Sequence, residues 1–232
     1  MPDFTIKEIL LKSSDYLKNK GVPSPRYDTE LILSHVLKMS RMSLYLEFER
    51  NIAEEQAGII RQAIVERGKR KPLQYILGSV RFGDCIIEVN ENVLIPRPET
   101  EFMVDKICKT HSYSNRILDI CTGSGAIAIA LKKRFSNAEV FATDVCEKAL
   151  NVAINNARKN ECEIKFIQSD LFDAFRQGQS LQIEDAHRFL NSFDTIVSNP
   201  PYISDEDFEK LEPELFFEPK TALVAENNGL YF

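Results

Sequence analysis

Apolar residues recur three and four positions apart along the first part of the chain. Ile6, Ile9, Leu10 and Leu17 make one stripe, Leu31, Ile32, His35 and Val36 a second, and Ile59, Ile60, Ala63 and Ile64 a third. Such spacing gathers each set on one face of a helix, so residues 1–71 are expected to form a small helical domain with the stripes meeting in its core. Gly21, Pro23 and Pro25 separate the first stripe from the second. The basic run ERGKRKP, Glu66 to Pro72, closes the region and reads as a solvated helix end, its charge suiting the negative end of the dipole.

From Leu73 the period shortens to that of strands. The stretch LQYILGSVRFGDCIIEVNENVLI is broken at Gly78, Gly83 and Asn90 to Asn92, and predicts a β-hairpin linker over 72–97. Pro98 suits the first position of a new helix, with Glu99 and Glu101 in its first turn. After Ser112, strand and helix patterns alternate. RILDI (116–120), EVFATD (139–144), IKFIQSD (164–170) and FDTIVSN (193–199) are the strands, and AIAIALKKRF (126–135) and CEKALNVAINNARKN (146–160) are intervening helices. This order predicts an α/β domain over 98–232, with a parallel sheet and helices on both faces.

Composition narrows the function classes. A formal net charge of −6 argues against a broad basic face for nucleic acid. The five cysteines, Cys85, Cys108, Cys121, Cys146 and Cys162, are scattered and include no Cys-x-x-Cys pair, so neither a disulfide framework nor a zinc site is expected. His35, His111 and His187 lie far apart and are expected on the surface or in the core rather than on a metal. No secretory or membrane-spanning run is apparent, which makes the cytoplasm the expected compartment. Nothing specifies an oligomer, and a monomer is expected.

The candidate chemistry sits at the carboxyl ends of the strands, where ligands collect in parallel sheets. Asp119 ends the first strand, and Gly123 and Gly125 let the following turn pass close to a ligand. With Ala128 they fit G-x-G-x-x-A. Asp144 ends the second strand, where a carboxylate can accept both hydroxyls of a ribose. Together these residues point to an adenosine-containing cofactor, leaving a nicotinamide dinucleotide and S-adenosylmethionine both open. Asp170 ends the third strand, where it can accept from an adenine amino group. At the end of the fourth, Asn199-Pro200-Pro201-Tyr202 stops the ladder, because proline has no N–H to donate.

That last tetrapeptide, in this place, is similar to the (D/N/S)-P-P-(Y/F/W) signature of class I methyltransferases that act on planar, amide-like or exocyclic nitrogens. Such a nitrogen is a weak nucleophile, so a site needs to hold both its N–H groups and expose its lone pair. The Asn199 side-chain oxygen and the Pro200 carbonyl can each accept one N–H, Tyr202 can stack on the plane, and Pro201 stiffens the loop. DNA adenine methyltransferases share this cradle but bring a recognition domain and a basic cleft, neither of which is visible.

RKPLQYILG (70–78), LIPRPETE (94–101), DICTGSGAIAIAL, SNPPYI, FEPKTAL (217–223) and NNGLYF together resemble the protein-(glutamine-N5) methyltransferase family that modifies peptide chain release factors. The resemblance implies a class I, Rossmann-like fold and methyl transfer to the glutamine of a Gly-Gly-Gln loop, with the helical domain and hairpin docking the rest of the protein substrate. It also implies that Cys121, Thr122, Gly123, Ser124, Gly125 and Asp144 hold S-adenosylmethionine, that Leu171 flanks the adenine, and that Asn199 to Tyr202 clamp the glutamine amide. No direct contact with nucleic acid or membrane follows from it. The chain departs from the family in three places. Cys121 stands where glycine is usual, FRQGQSLQIEDAHRF between Leu171 and Asn199 reads as an inserted loop, and the stop at GLYF predicts a truncated sheet with an exposed edge. Four other readings have the same strand-end residues available: a ribosomal-protein glutamine methyltransferase, a DNA adenine-N6 methyltransferase, a nicotinamide-dependent oxidoreductase, and a non-catalytic module that docks on translation factors.

Overall fold

The computed structural model describes residues 4–175 and 192–231. Beyond Phe175 the expected inserted loop, His187 included, lies outside the described residues. The backbone divides into two compact units, Met1–Leu77 with Pro213–Phe217, and Gly78–Glu212 with Glu218–Phe232.

The first unit holds α1 (Ile6–Asn19), α2 (Pro25–Leu37), α3 (Arg41–Leu46), α4 (Glu54–Gly68) and α5 (Leu73–Leu77). A reciprocal capping box starts α1: Glu8 N donates to Thr5 Oγ1 at 3.2 Å and Thr5 N to Glu8 Oε2 at 3.1 Å. Ile6, Leu10, Leu17, Ile32, Leu33, Leu37, Ile60 and Ile64 form the core. His35 is exposed, because the buried face of α2 runs through Leu33 and Leu37, one position on from the stripe expected at His35 and Val36.

Two expectations for this unit are corrected. The stretch from Leu73 was expected as strand, but Leu73–Leu77 is a helical turn. Tyr75 and Ile76 donate to the Pro72 carbonyl, and Leu73 and Leu77, four apart, pack on the helical core. The basic run is not a solvated helix end either. Arg67 is buried, donating to Asp28 Oδ2 at 2.7 Å, to Glu214 Oε1 at 3.0 Å and to the Lys71 carbonyl at 3.2 Å. Arg70 donates to both oxygens of Glu214 at 2.7 and 2.6 Å. Burial alone would push the Glu214 carboxyl up, yet the bonds from Arg70 and Arg67 leave it below its ordinary value.

The second unit opens with a hairpin, β1 (Ser79–Phe82) and β2 (Cys85–Glu88), joined by a two-residue turn in which Gly83 takes φ +55°. Then follow α6 (Pro98–Thr110), β3 (Arg116–Ile120), α7 (Ala126–Arg134), β4 (Glu139–Asp144), α8 (Glu147–Lys159), β5 (Lys165–Gln168) and β6 (Thr195–Ser198). The four later strands form a parallel sheet in the order β5-β4-β3-β6. The chain therefore steps outward from β3 to β5 and returns to the other side of β3 for β6. This reversal opens a crevice at the carboxyl ends of β3 and β6. Beneath it, Leu118, Ile120, Phe141, Ile167 and Phe175 form an apolar cluster, and Phe141, Phe175 and Phe193 meet edge to face with centroids 5.4 to 6.5 Å apart. Among the described residues no helix is long and apolar enough to cross a membrane.

Candidate active site

The turn between β3 and α7 puts three left-handed residues within five positions: Cys121 at φ +58°, Gly123 at +54° and Gly125 at +81°. The two glycines serve different ends. A Cβ added to Gly123 would meet nothing within 4 Å, so this backbone borders open space. At Gly125, φ +81°, it would lie 3.1 Å from the Ala153 Cβ, so the left-handed turn and the approach of α8 both favour glycine there. Cys121 has a side chain where glycine would be free of strain, at a cost of about 1–2 kcal/mol. Burial first, and then the Asp144 carboxylate, push its thiol up to about 11, and it packs on the apolar cluster as an inert side chain.

Three carboxamide and carboxylate side chains hold this turn. Asp144 Oδ2 accepts from Gly123 N at 2.8 Å, and its Oδ1 from Cys146 N at 2.9 Å. Burial nonetheless raises its pKa, against the pull of those amides. Asn156, fully buried on α8, accepts from Glu88 N at 2.8 Å and donates to the Glu88 and Ser124 carbonyls at 2.9 Å each. The end of the hairpin is thereby tied to the turn. Asp119, expected to touch the cofactor, is instead wholly buried. It accepts from Thr122 Oγ1 at 2.6 Å and from Ala128 N at 3.2 Å, and so shapes the turn from below.

Burial pushes the Asp119 pKa from 3.8 to about 7, opposed by the bonds from Thr122 and Ala128 and assisted by Asp144. The native state keeps this proton where the unfolded chain has lost it. The resulting stability is fully present below about pH 4 and is lost as pH rises through about 7, at up to ~1.4 kcal/mol per pH unit within that window. Asp119→Asn should therefore flatten the dependence of melting temperature on pH between 4 and 7. An unaltered slope relative to wild type would show that the carboxyl ionises normally.

At the crevice a cavity of about 140 Å³ is lined by Cys121, Thr122, Gly123, Ser124, Asp144, Asp170, Leu171, Asn199 and Pro201, all of them expected from the sequence. Asp119, Gly125, Pro200 and Tyr202 do not line it, and Tyr202 is exposed beyond it. Leu171 enters the lining in a left-handed conformation, φ +44°, with Ser169 Oγ donating to its carbonyl at 3.0 Å. Asn199 Nδ2 donates to Thr100 Oγ1 at 3.3 Å.

Thr100, Pro219, Thr221 and Ala222 also line the cavity and were not assigned from the sequence. They sit in the motifs PRPETE and FEPKTAL, which Glu218 joins. This buried carboxylate accepts from Ile95 N at 3.0 Å and from Arg97 Nη2 at 2.6 Å. The loop after β6 is held in turn by the next segment: Tyr202 N and Ile203 N both donate to the Leu223 carbonyl, and Ala225 N donates to that of Ile203. Gly229, at φ +83°, lies against the same loop, and a Cβ there would fall 2.3 Å from the Tyr202 carbonyl oxygen. Gly229→Ala should cost about 2–3 kcal/mol through overlap and left-handed strain, read as a lowered melting temperature. A wild-type melt would show that the loop yields freely.

Residues 98–229 match the family described as Methyltransferase small domain, and residues 8–78 match the PrmC N-terminal domain. The protein named release factor glutamine methyltransferase in Leptospira interrogans is 40% identical over 97% of this chain, which spans 77% of that protein. The chain belongs to the release factor glutamine methyltransferase family. The family's proteins in Fusobacterium nucleatum and Geobacter sulfurreducens are 41% and 35% identical over 97% and 99% of this chain, which spans 62% and 76% of their lengths. Within the family's two matched regions, the first ends at Gly78, just after α5, and the second begins at Pro98, where α6 begins.

Proposed function

We propose that this chain transfers a methyl group from S-adenosylmethionine to the side-chain amide nitrogen, N5, of the glutamine in the Gly-Gly-Gln motif of peptide chain release factors. Membership of the family supports the reaction class. The observation that carries the site assignment is that Asn199 shares one cavity with the Gly123 turn and Asp144.

The residues present fit the methyl donor. Gly123 borders open space, and Asp144 has lone pairs left after accepting from Gly123 and Cys146, so it can take ribose hydroxyls. Asp170 and Leu171 line the part of the cavity at the end of β5, suited to an adenine edge and face. When bound, S-adenosylmethionine supplies an electrophilic methyl group on a sulfonium. The protein's own part is positioning: Asn199 Oδ1 accepts one glutamine N–H, the Pro200 carbonyl accepts the other, and the exposed Tyr202 ring covers the amide plane. With both N–H groups held, the nitrogen lone pair is the part left facing the cavity.

The acidic net charge supports a protein partner over direct contact with nucleic acid, and the unpaired cysteines support action in the cytoplasm. The test is mass spectrometry of a purified release factor after incubation with this chain and S-adenosylmethionine. One added methyl on the Gly-Gly-Gln glutamine is the expected result, and an unmodified glutamine with a modified residue elsewhere would overturn the reading. Thermal shift with S-adenosylmethionine against NAD separates the oxidoreductase alternative, since only the true cofactor stabilises the fold in proportion to its occupancy.

A further inference from the structure

A second concavity lies wholly within the helical unit. The Phe4 carbonyl accepts from Ile52 N, just before α4, and a Cβ on Gly68, at the end of α4, would fall 2.6 Å from Tyr16 Cε1. α1 and α4 therefore run side by side in the same direction. The seam between them opens into a groove of about 340 Å³, many times the ~10–15 Å³ that one water needs. The buried Ala57, Ile60 and Ile64 make its floor, and the half-buried Phe4, Ile9 and Tyr16 its walls. From Ile9 to Tyr16 on α1, and from Ala57 to Val65 on α4, the lining covers two helical turns, about 10–12 Å at 1.5 Å per residue.

The charges at its rims differ from others in the unit. Lys12 and Arg61, one from each helix and both exposed, line the groove. Arg26 and Arg41 are paired with Glu30, Arg50 with Glu47, and Arg67 and Arg70 with Glu214. Among the described residues Arg61 is the one arginine of this unit without a carboxylate partner, and Lys12 has none either. The Lys12 ammonium instead rests 4.5 Å from the centroid of the Phe4 ring, beside the groove's apolar wall.

Unpaired cations from both helices, on the rims of an apolar floor, favour an occupant with apolar and acidic groups side by side. Two turns of floor match the i, i+3 or i+4, i+7 face of an amphipathic helix, whose flanking carboxylates can then reach Lys12 and Arg61. A bilayer takes up side chains that project rather than a recess, and a nucleic-acid backbone gains nothing from an aliphatic floor. We propose that the groove between α1 and α4 docks an acidic amphipathic helix of the release factor, and so governs KM for the intact protein substrate rather than the chemical step. The choice of partner rests on the glutamine-methylation reading; the chemistry of the groove does not.

The test is the double reversal Lys12→Glu, Arg61→Glu, with methylation of intact release factor followed by mass spectrometry. KM is expected to rise about 5- to 20-fold at low salt, with kcat within about twofold of wild type. Added salt should raise the wild-type KM and leave that of the reversal nearly unchanged. The control Lys18→Glu, Lys38→Glu changes net charge equally at exposed positions outside the groove, and should keep KM within about twofold. An unchanged KM in the groove variant overturns the proposal, as does an equal rise in the control, which would mark general charge repulsion. A fall in kcat with a lowered melting temperature would mark structural damage and overturn it too. So would an unchanged KM with loss of binding to vesicles of phosphatidylglycerol and phosphatidylethanolamine, which would make the groove a lipid site. If wild type leaves the release-factor glutamine unmodified, the functional reading falls, and fluorescence anisotropy with labelled release factor decides the groove alone. Weaker binding by the groove variant but not by the control then upholds it, and no binding by wild type overturns it.

Discussion

Replacing Asn199 by alanine is expected to slow methyl transfer about 10²- to 10³-fold while binding of the release factor survives. Deleting one preorganised hydrogen-bonding group aimed at a reacting centre costs about that much. A glutamine amide keeps its lone pair delocalised into its own carbonyl, and the acceptors around it lower the barrier only if both N–H groups are held together. Without Asn199 Oδ1, the proposed clamp would retain only the Pro200 carbonyl on one N–H, and the amide could swing about that bond. Stability should change little, because Asn199 is only partly buried and its one side-chain bond among the described residues, to Thr100, is long at 3.3 Å. Quantitative mass spectrometry of the release factor gives the rate, and fluorescence anisotropy with a labelled release factor gives the binding. Full-speed transfer by the alanine variant would sink the amide clamp.

Arg67→Ala should be the most damaging change in the helical unit, costing about 3–5 kcal/mol in urea unfolding. Glu214 keeps Arg70 as a partner, but Asp28 is 6% exposed and has no second cation among the described residues. Removing the guanidinium strands that carboxylate in the interior. The companion variant, Arg67→Met with Asp28→Leu, removes both charges, and most of the loss should return because neither ion then has to be desolvated. A double variant as unstable as Arg67→Ala would mean that packing rather than charge is at stake.

The sites that were legible in the sequence and those that were not differ in how far away their partners lie. In a parallel sheet all carboxyl ends fall on one side, so alternation of strand and helix was enough to bring Gly123, Asp144, Asp170 and Asn199 to a common rim. The helical stripe of α1 was legible for the same local reason. Arg67 was not, since its partners Asp28 and Glu214 lie 39 and 147 positions away, and a basic run has the same composition whether solvated or buried. Thr100 and Asn156 share that difficulty, with partners 99 positions away at Asn199 and 68 at Glu88. Leu73–Leu77 misled by its composition: Tyr75 and Ile76 suit a strand, and the i,i+4 contact of its two leucines with the helical core selects the turn. Asp119 was placed at the correct strand end, yet its side chain is buried and outside the cavity lining, because strand position alone does not tell which way an end residue points.

The bend after β3 bears on how tightly the molecule can hold a small ligand. Asn156 ties its Ser124 carbonyl to the hairpin, Asp144 grips Gly123 N, and Asp119 grips Thr122 and Ala128. A recognition loop that must freeze on contact spends about 0.5–1.5 kcal/mol for each side chain it immobilises. Here that ordering is completed when the polypeptide folds, so a newcomer meets a surface already set, and the affinity it gains is not diluted by stilling the wall it touches.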